Sequence, residues 1–416
     1  MDTVDQTAIA NNQALAGIRI CDFTGQLAGA GATKWLAAFG AQVIRIEDPE
    51  REGRWDILRG SPPYKPGQQG LEYGGGFNNH NTDKLGITLN LRQPKAKEIL
   101  RELIRVSDAV TENFAAGVLE KWGFGYKAMQ EIKPDLVYVS NCGFGHEGPY
   151  SRYKTWGPIV QAISGLTFTS TLPNQPPAGW GFSYMDHTGS YYMAMAIMLA
   201  LLHKQQTGEG QWVDLACTEA AVTLNGPALL DWSVNEQPMR NNEQPSSNRS
   251  QFKAMAPHGI YACQGQDEWV AISCRDQGDW QKLRTHINED WTNTFSDLAS
   301  RLEKQDLLDE HMTRWTSAKT KVQVEAELQT LPIPVAAVAK PRERINNPAH
   351  QGLWQEVTHT AMGQVVVDGQ PANFSETPWQ STRGAPCLSE HTHQVLTEIL
   401  NYTDDEVSAF VEADVV

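Results

Sequence analysis

Gly17-Ile-Arg-Ile-Cys-Asp-Phe23, Gly29-Ala-Gly-Ala-Thr-Lys-Trp-Leu-Ala-Ala-Phe39 and Gln42-Val-Ile-Arg-Ile-Glu47 stand in succession near the start of the chain, and they decide its fold. The first and third are apolar runs of strand length. The second spaces its Leu and Ala residues as a helix does and stops at Gly40, a residue suited to the position just past a helix end. The pattern continues with strand-like Gly86–Leu91, Ala109–Glu112, Leu136–Ser140 and Trp212–Cys217, and with helices over Pro94–Val106 and from Thr218. Short apolar strands alternating with helices predict an α/β fold whose mostly parallel sheet is covered on both faces.

With 416 residues the chain is long enough for two domains. Residues 1–224 read as the large domain and 225–245 as a polar, Pro-containing linker. Residues 246–330 read as a small α+β domain, 331–350 as a return linker and 351–416 as the remainder of the large domain. Within the small domain, Gly259–Cys263 and Glu268–Ser273 predict strands, and Trp280–Ile287, Thr294–Leu308 and Lys321–Leu331 predict helices. Further on, Gln364–Val367 predicts a strand and Thr392–Leu400 a helix. A net charge of −15 argues against nucleic acid or an anionic membrane as the main partner. The six scattered cysteines show no metal-ligand spacing, so no metal is expected. The N-terminus lacks a secretory pattern, and no apolar run reaches membrane-spanning length; a cytoplasmic setting is the expectation.

Two stretches carry candidate chemistry. Gly25-Gln-Leu-Ala-Gly29-Ala-Gly31, followed by a helix and Glu47-Asp48, is close to a dinucleotide fingerprint. Lys34 stands where the third glycine belongs, which disfavours nicotinamide or flavin binding. The second stretch is Gly181-Phe-Ser-Tyr-Met-Asp-His-Thr-Gly-Ser190. It sets Asp186 at the start of an almost wholly apolar helix, Tyr191–Leu202, read as buried. Unpaired N–H groups and the helix dipole stabilise a carboxylate there. It is either an N-cap or, in a dry pocket, a nucleophile that is ionised at neutral pH without a partner base.

Several collinear segments together resemble the class III (CaiB/BaiF) CoA-transferases, the group that includes formyl-CoA and carnitine CoA-transferases. They are Leu15–Thr24, Phe39–Glu47, Asn81–Arg92 and Asp108–Phe124 (with Glu112-Asn-Phe and Lys121-Trp-Gly-Phe). Ser140–Pro149, Gln206–Gln211 and Arg383–Thr392 complete the set. The resemblance implies a Rossmann-like large domain, a ring-like homodimer of interlocked subunits, and no permanently bound cofactor. Coenzyme A and acyl-CoA would be substrates, together with a free carboxylic acid. Asp186 would be the catalytic nucleophile, forming a mixed anhydride and then an aspartyl-CoA thioester. Ala28, Leu89, Asn90, Leu91, Arg92, Asn113, Phe114, Lys121, Asn141, Gly143 and Phe144 would bind CoA, and N–H groups of Gly143–Gly145 would hold the oxyanion. Phe114 would stack on adenine or pack in the core. Arg45, Arg51 and Arg54 are further phosphate candidates, the last two reading also as a solvated run.

Some positions depart from the family pattern. Formyl-CoA transferases carry Gln where this chain has Leu27, with Gln26 one place earlier. They also have a glycine run that Met255-Ala-Pro-His-Gly-Ile-Tyr261 lacks. Both departures argue against oxalate or formate as the acid. A racemase branch would need a His within Lys154-Thr-Trp-Gly-Pro158, where none occurs, and His146, His187 and His258 are the alternatives. Trp156, Trp180, Phe182, Tyr184, Tyr191 and Tyr192 would suit a bulky, apolar or cationic acid, or ordinary packing. A CoA-binding protein without catalysis is the reading from another class.

Overall fold

The computed structural model describes residues 13–416 apart from 171, 173–174, 237–247, 250–252 and 346. The chain forms two compact units. The first takes in the described residues of Met1–Phe168, Gly179–Asn235 and Gly352–Val416. Its sheet has six strands: β1 (Arg19–Asp22), β2 (Gln42–Glu47), β3 (Leu85–Thr88), β4 (Ala109–Glu112), β5 (Val137–Cys142) and β6 (Trp212–Ala216). The order is β3-β2-β1-β4-β5-β6 and every neighbouring pair is parallel. The direction of winding reverses between β1 and β4. In such sheets ligands bind in the crevice beyond the carboxyl ends of the strands at that reversal.

The central strands β1 to β5 carry apolar residues on both faces because both are buried, and the charged residues among them, such as Asp22 and Arg45, are buried as well. Cys21, Ile44, Val110 and Tyr138 point into one core. Their neighbours Ile20, Val43, Ala109 and Val137 point into the other. Helix α1 (Ala30–Ala38) adds Ala32, Leu36 and Ala37 to the second core. Helix α2 (Pro94–Arg105) adds Ile99, Leu100 and Leu103 to the first. Helix α3 (Tyr184–Thr207) buries Met193, Ile197, Ala200 and Leu201 on the second core. Its other side is not buried: Tyr191, Met195, Met198, Leu199 and Leu202 are exposed, which corrects the reading of this helix as wholly internal. No helix among the described residues is long and apolar enough to cross a membrane.

Residues 352–416 supply the hairpin β10 (Trp354–His359) and β11 (Gly363–Asp368), and helix α4 (Asp404–Glu412). Val395, Leu396 and Val407 join the first core. The sequence gives α4 a start signal in Thr403-Asp-Asp-Glu406, a capping box that forms here. The helix expected over Thr392–Leu400 is instead one short turn followed by a wider coil over Val395–Ile399.

The second unit comprises Thr169–Ala178 and Glu236–Gln351. It holds the antiparallel strands β7 (His258–Ala262), β8 (Trp269–Ser273) and β9 (Val335–Ala337), in that order. Helices at Gln277–Ile287, Gln305–Ser317 and Lys321–Gln329 enclose a separate core around Trp280, Phe295, Leu308 and Met312. The single helix expected over Thr294–Leu308 is divided, because Asp297 caps a new helix, Leu298–Glu303, with its carboxylate. Two linker assignments also change. Strand β9 falls inside 331–350, and Gly226–Asn235 is helical inside 225–245, whose remainder lies largely outside the described residues.

Candidate functional site

The crevice is built from the carboxyl end of β1. Asp22 accepts hydrogen bonds from the hydroxyls of Thr24 (2.6 Å), Thr33 (2.9 Å) and Thr111 (2.8 Å), and from Lys84 Nζ (3.2 Å). Burial opposes its charge, but Lys84 and Thr24 hold the carboxyl below its usual range. Arg45 Nη1 donates to the Thr24 carbonyl at 2.6 Å. Beyond it, the Asn113 amide accepts from Gly25 N–H (2.8 Å) and donates to Gly25 C=O (3.0 Å), as an adjacent strand would. The loop so fixed turns at Gln26, whose φ of 55° is left-handed, and brings Gln26 and Ala28 to the wall of a cavity.

That cavity, about 300 Å³ in volume, also meets Asp186. Ser183 precedes the first helical residue of α3, so Asp186 is the third residue of the helix and not its N-cap. Gly157 backs this turn. A Cβ on Gly157 would lie 2.6 Å from Ser183 Cβ, so only glycine lets Ser183 sit there. Burial pushes the Asp186 carboxyl up to about 6, with a hydrogen bond from Ser183 opposing the shift. The carboxylate is therefore ionised at neutral pH and more basic than an exposed one.

Asn141 ties three segments around this carboxylate. Its Nδ2 donates to the carbonyls of Ala28 (3.3 Å) and Gly189 (3.4 Å), and its Oδ1 accepts from Cys217 Sγ (3.0 Å). The approach requires Gly189, since a Cβ there would lie 2.6 Å from Cys217 Sγ. Gly143 is similarly constrained: its Cβ would meet Thr155 Oγ1 at 1.9 Å.

Phe114 lines this cavity and also a second, of about 470 Å³. Its ring packs against Trp55 (centroids 5.0 Å apart) and Trp122 (5.5 Å). Leu89, Leu91, Arg51 and Arg92 complete the relevant lining. Arg92 pairs with Glu50 (2.8 Å) and Asp48 (3.3 Å), and its hydrogen bond to Asp48 raises it above the ordinary guanidinium value. An anion entering here would exchange places with those carboxylates.

The expected residues thus divide. Asp186, Ala28, Asn113, Phe114, Asn141 and Gly143 share the first cavity, and Leu89, Leu91, Arg92 and Phe114 share the second. Asn90, Lys121 and Phe144 line neither. Asn90 is buried and donates to Glu50 and to the Asp414 carbonyl. Lys121 is an exposed helical residue, and Phe144 packs against Tyr150 and Tyr153. Arg45 is fully buried in pairs with Asp56 and Glu47, which removes it as a phosphate ligand. Arg54 pairs with Glu52 at the surface.

Of the histidines, His187 lines a separate cavity with His80, Lys34 and Asp368. His146 is ion-paired with Glu112 at 3.2 Å, and His258 belongs to the second unit, hydrogen-bonded to Ser273. Among the aromatics, Trp156 lines the Asp186 cavity and Tyr191 lines the His187 cavity; Trp180, Phe182, Tyr184 and Tyr192 line neither of these. Tyr153, Lys154, Cys142 and Cys217 were not anticipated as wall residues. Only the short polar-aromatic run Tyr153–Trp156, between a Gly-Pro loop and a helix, could have flagged the first two. Among the described residues no cluster of His, Cys, Asp or Glu could hold a metal.

The chain as a whole is similar to known proteins. The model of CoA-transferase family III matches residues 15–392. A formyl-CoA:oxalate CoA-transferase of Rhodopseudomonas palustris (strain BisA53) is 32% identical over 421 residues, covering 95% of this chain and 96% of that protein. One of the same description from Streptomyces coelicolor is 30% identical over 425 residues, covering 97% and 99%. A CAIB/BAIF family protein from Brucella suis has a similar structure, with a TM-score of 0.82 and 25% identity over 93% of this chain and 99% of that one. Rv3272 from Mycobacterium tuberculosis shares the fold, with a TM-score of 0.76 and 24% identity over 92% and 98%. The chain belongs to the family III CoA-transferases.

Proposed function

We propose that this chain moves CoA from an acyl-CoA donor to a free carboxylic acid, with Asp186 as the covalent nucleophile. The observation that carries the reading is the desolvated Asp186 carboxylate at one end of a cavity that shares Phe114 with a larger cleft. The cleft would take the nucleotide end of CoA between Phe114 and Arg92, and the smaller cavity the thioester.

One Asp186 oxygen attacks the thioester carbonyl. The tetrahedral oxyanion would be held by the N–H of Gly143, the one residue of the Gly143–Gly145 loop that lines the cavity, and collapses to a mixed anhydride, releasing CoA thiolate. The thiolate attacks the Asp186 carbonyl and expels the donor acid as its carboxylate, leaving an aspartyl-CoA thioester. An acceptor carboxylate then attacks that thioester, and the same steps in reverse give the new acyl-CoA. Energy is conserved because each bond formed is as activated as the one broken, provided water is excluded.

Gln26 and Lys154 on the cavity wall supply polar contacts for the acid. Gln26, one place earlier than the family pattern suggests, reaches the cavity because of its left-handed backbone, whereas Leu27 is buried. The displaced glutamine is therefore no argument against a small acid. Among the described residues lining the cavity there is no imidazole to share an α-proton with Asp186, so racemisation is the weaker reading. The exposed apolar side of α3, with Leu230, Trp232 and Val234 further on, supports the homodimer. Light scattering should give twice the chain mass.

The test of the mechanism is trapping. Hydroxylamine added during turnover should leave a hydroxamate at Asp186, found by peptide mass. Transfer by Asp186→Ala at a rate close to that of the parent would refute the reading.

A further inference from the structure

We infer that Asn113 is a positioning residue for recognition of the acid, acting through Gln26, and not a ligand of CoA. The inference rests on the reading that the Asp186 cavity receives the acid. The family resemblance places Asn113 among the CoA contacts, but its hydrogen bonds lead elsewhere.

Strands β1 and β4 pair in parallel as far as Asp22 and Thr111, and the Phe23 N–H still donates to the Thr111 carbonyl at 2.8 Å. Beyond that point the Phe114 N–H is taken by the Glu112 carboxylate at 2.7 Å. The Asn113 side chain continues the ladder in place of backbone. Its Oδ1 accepts from Gly25 N–H at 2.8 Å and its Nδ2 donates to Gly25 C=O at 3.0 Å. Only one orientation of the amide meets both groups, and it engages both polar atoms on Gly25.

Asn113 also holds the far end of the same loop. A Cβ on Gly29 would lie 2.7 Å from Asn113 Cγ and 2.5 Å from Thr24 Cβ, and one on Gly25 would lie 2.7 Å from the Trp55 ring. Between these two anchored glycines stands Gln26 with its φ of 55°. A residue with a side chain stays in that region only where its surroundings impose it. Gln26 is half-buried and lines the cavity, and its amide has no hydrogen-bond partner among the described residues. The grip on Gly25 thus presents a free amide to the space beside Asp186, where it can donate to the carboxylate of the acid.

An asparagine that only tied a loop to the sheet would not need a strained, unpartnered, cavity-lining residue next to its anchor. Nor does the CoA cleft depend on this grip. Phe114, which that cleft shares, has its N–H fixed by Glu112 and its ring packed on Trp55 and Trp122. Loss of the Asn113 amide should let Gln26 relax and withdraw from the acid while CoA binds as before.

The experiment compares the full chain with Asn113→Ala, Gln26→Ala and the double variant. Transfer is assayed with acetyl-CoA or succinyl-CoA as donor and the best acceptor from a panel of mono- and dicarboxylates. Binding of free CoA, which carries no acyl group, is measured by calorimetry. Asn113→Ala should raise the KM for the acid about tenfold, the effect of losing one hydrogen bond to a charged group. The Kd for CoA should change less than about twofold, and Asn113→Ala should add little once Gln26 is Ala, because coupled residues do not act additively. Asn113→Asp keeps the volume and the acceptor for Gly25 N–H and loses only the donor. It should give the same split at smaller size where Asn113→Ala does not fold. Weaker CoA binding with an unchanged KM for the acid overturns the inference and makes Asn113 a CoA ligand. An equal effect of Asn113→Ala with and without Gln26 also overturns it. In both cases the parent still transfers CoA; a parent that transfers CoA to none of the acids removes the functional reading and the inference together.

Discussion

Replacing Asp186 by Asn should abolish transfer and at the same time stabilise the protein at neutral and alkaline pH. Burial raises the carboxyl from 3.8 to about 6. A carboxyl whose folded value is raised favours the folded state below its unfolded value, and that contribution is lost as pH rises through about 6. The shift of roughly two units corresponds to about 3 kcal/mol, the upper limit of what ionising Asp186 costs the folded chain. Asn remains neutral and keeps an oxygen to accept from Ser183. The variant should therefore exceed the parent by up to about 3 kcal/mol near pH 8, with the difference shrinking between about pH 6 and 4 and absent below. Urea unfolding of both proteins across this range measures it. A difference that does not change with pH, or a parent more stable than the variant at pH 8, would refute the argument that Asp186 is desolvated. If Asp186 is the nucleophile, kcat/KM of the parent should fall about tenfold between pH 7 and pH 5 as its carboxylate is protonated.

Lys84→Met should leave Asp22 buried without its cation and destabilise the protein by roughly 3–5 kcal/mol, read from the urea midpoint. Gly189→Ala forces Cys217 and Asn141 apart, so we expect a loss of about 1–3 kcal/mol and a lower kcat in steady-state assays. Arg92→Ala should raise the KM for acyl-CoA several-fold with kcat little changed, because its position in the larger cleft is remote from Asp186. An equal fall in kcat would show that it acts on the reaction itself.

The parallel sheet was legible because its strands are buried on both faces. Runs such as Gln42–Glu47 and Ala109–Glu112 keep enough apolar residues on both faces to read as strands despite Arg45 and Glu112, and both fall where the sequence puts them. Asp186 was legible as a carboxylate at a helix start. Its place in the third position, and the burial that sets its basicity, depend on Ser183 and Gly157, which no local pattern links to it. Arg45 shows the same limit in reverse. As a sequence feature it is a free cation near a glycine loop, but Asp56 and Asn81, far along the chain, claim it. The exposed side of α3 was hidden for another reason. A helix apolar all round reads as internal, and sequence does not distinguish a core from a surface left for another copy. Strand β9 is not legible in the sequence, because it has three residues that directly follow Pro332 and Pro334, too short a run for periodicity to register.

The close contacts at Gly143, Gly157 and Gly189 have a practical consequence for altering the choice of the proposed acid acceptor. At Gly143, on the cavity wall, and at Gly157 and Gly189 behind it, backbone packs against Thr155, Ser183 and Cys217 and leaves no room for even a methyl group. One part of the cavity lining comes from a surface segment in which Tyr153, Lys154 and Trp156 are all exposed. Residues of that kind can change size and charge with little effect on folding. Libraries aimed at new acids should randomise this one stretch and leave the glycines untouched. Selectivity can then be retuned at Tyr153, Lys154 and Trp156, while Asp186, the proposed nucleophile, keeps its rigid surroundings.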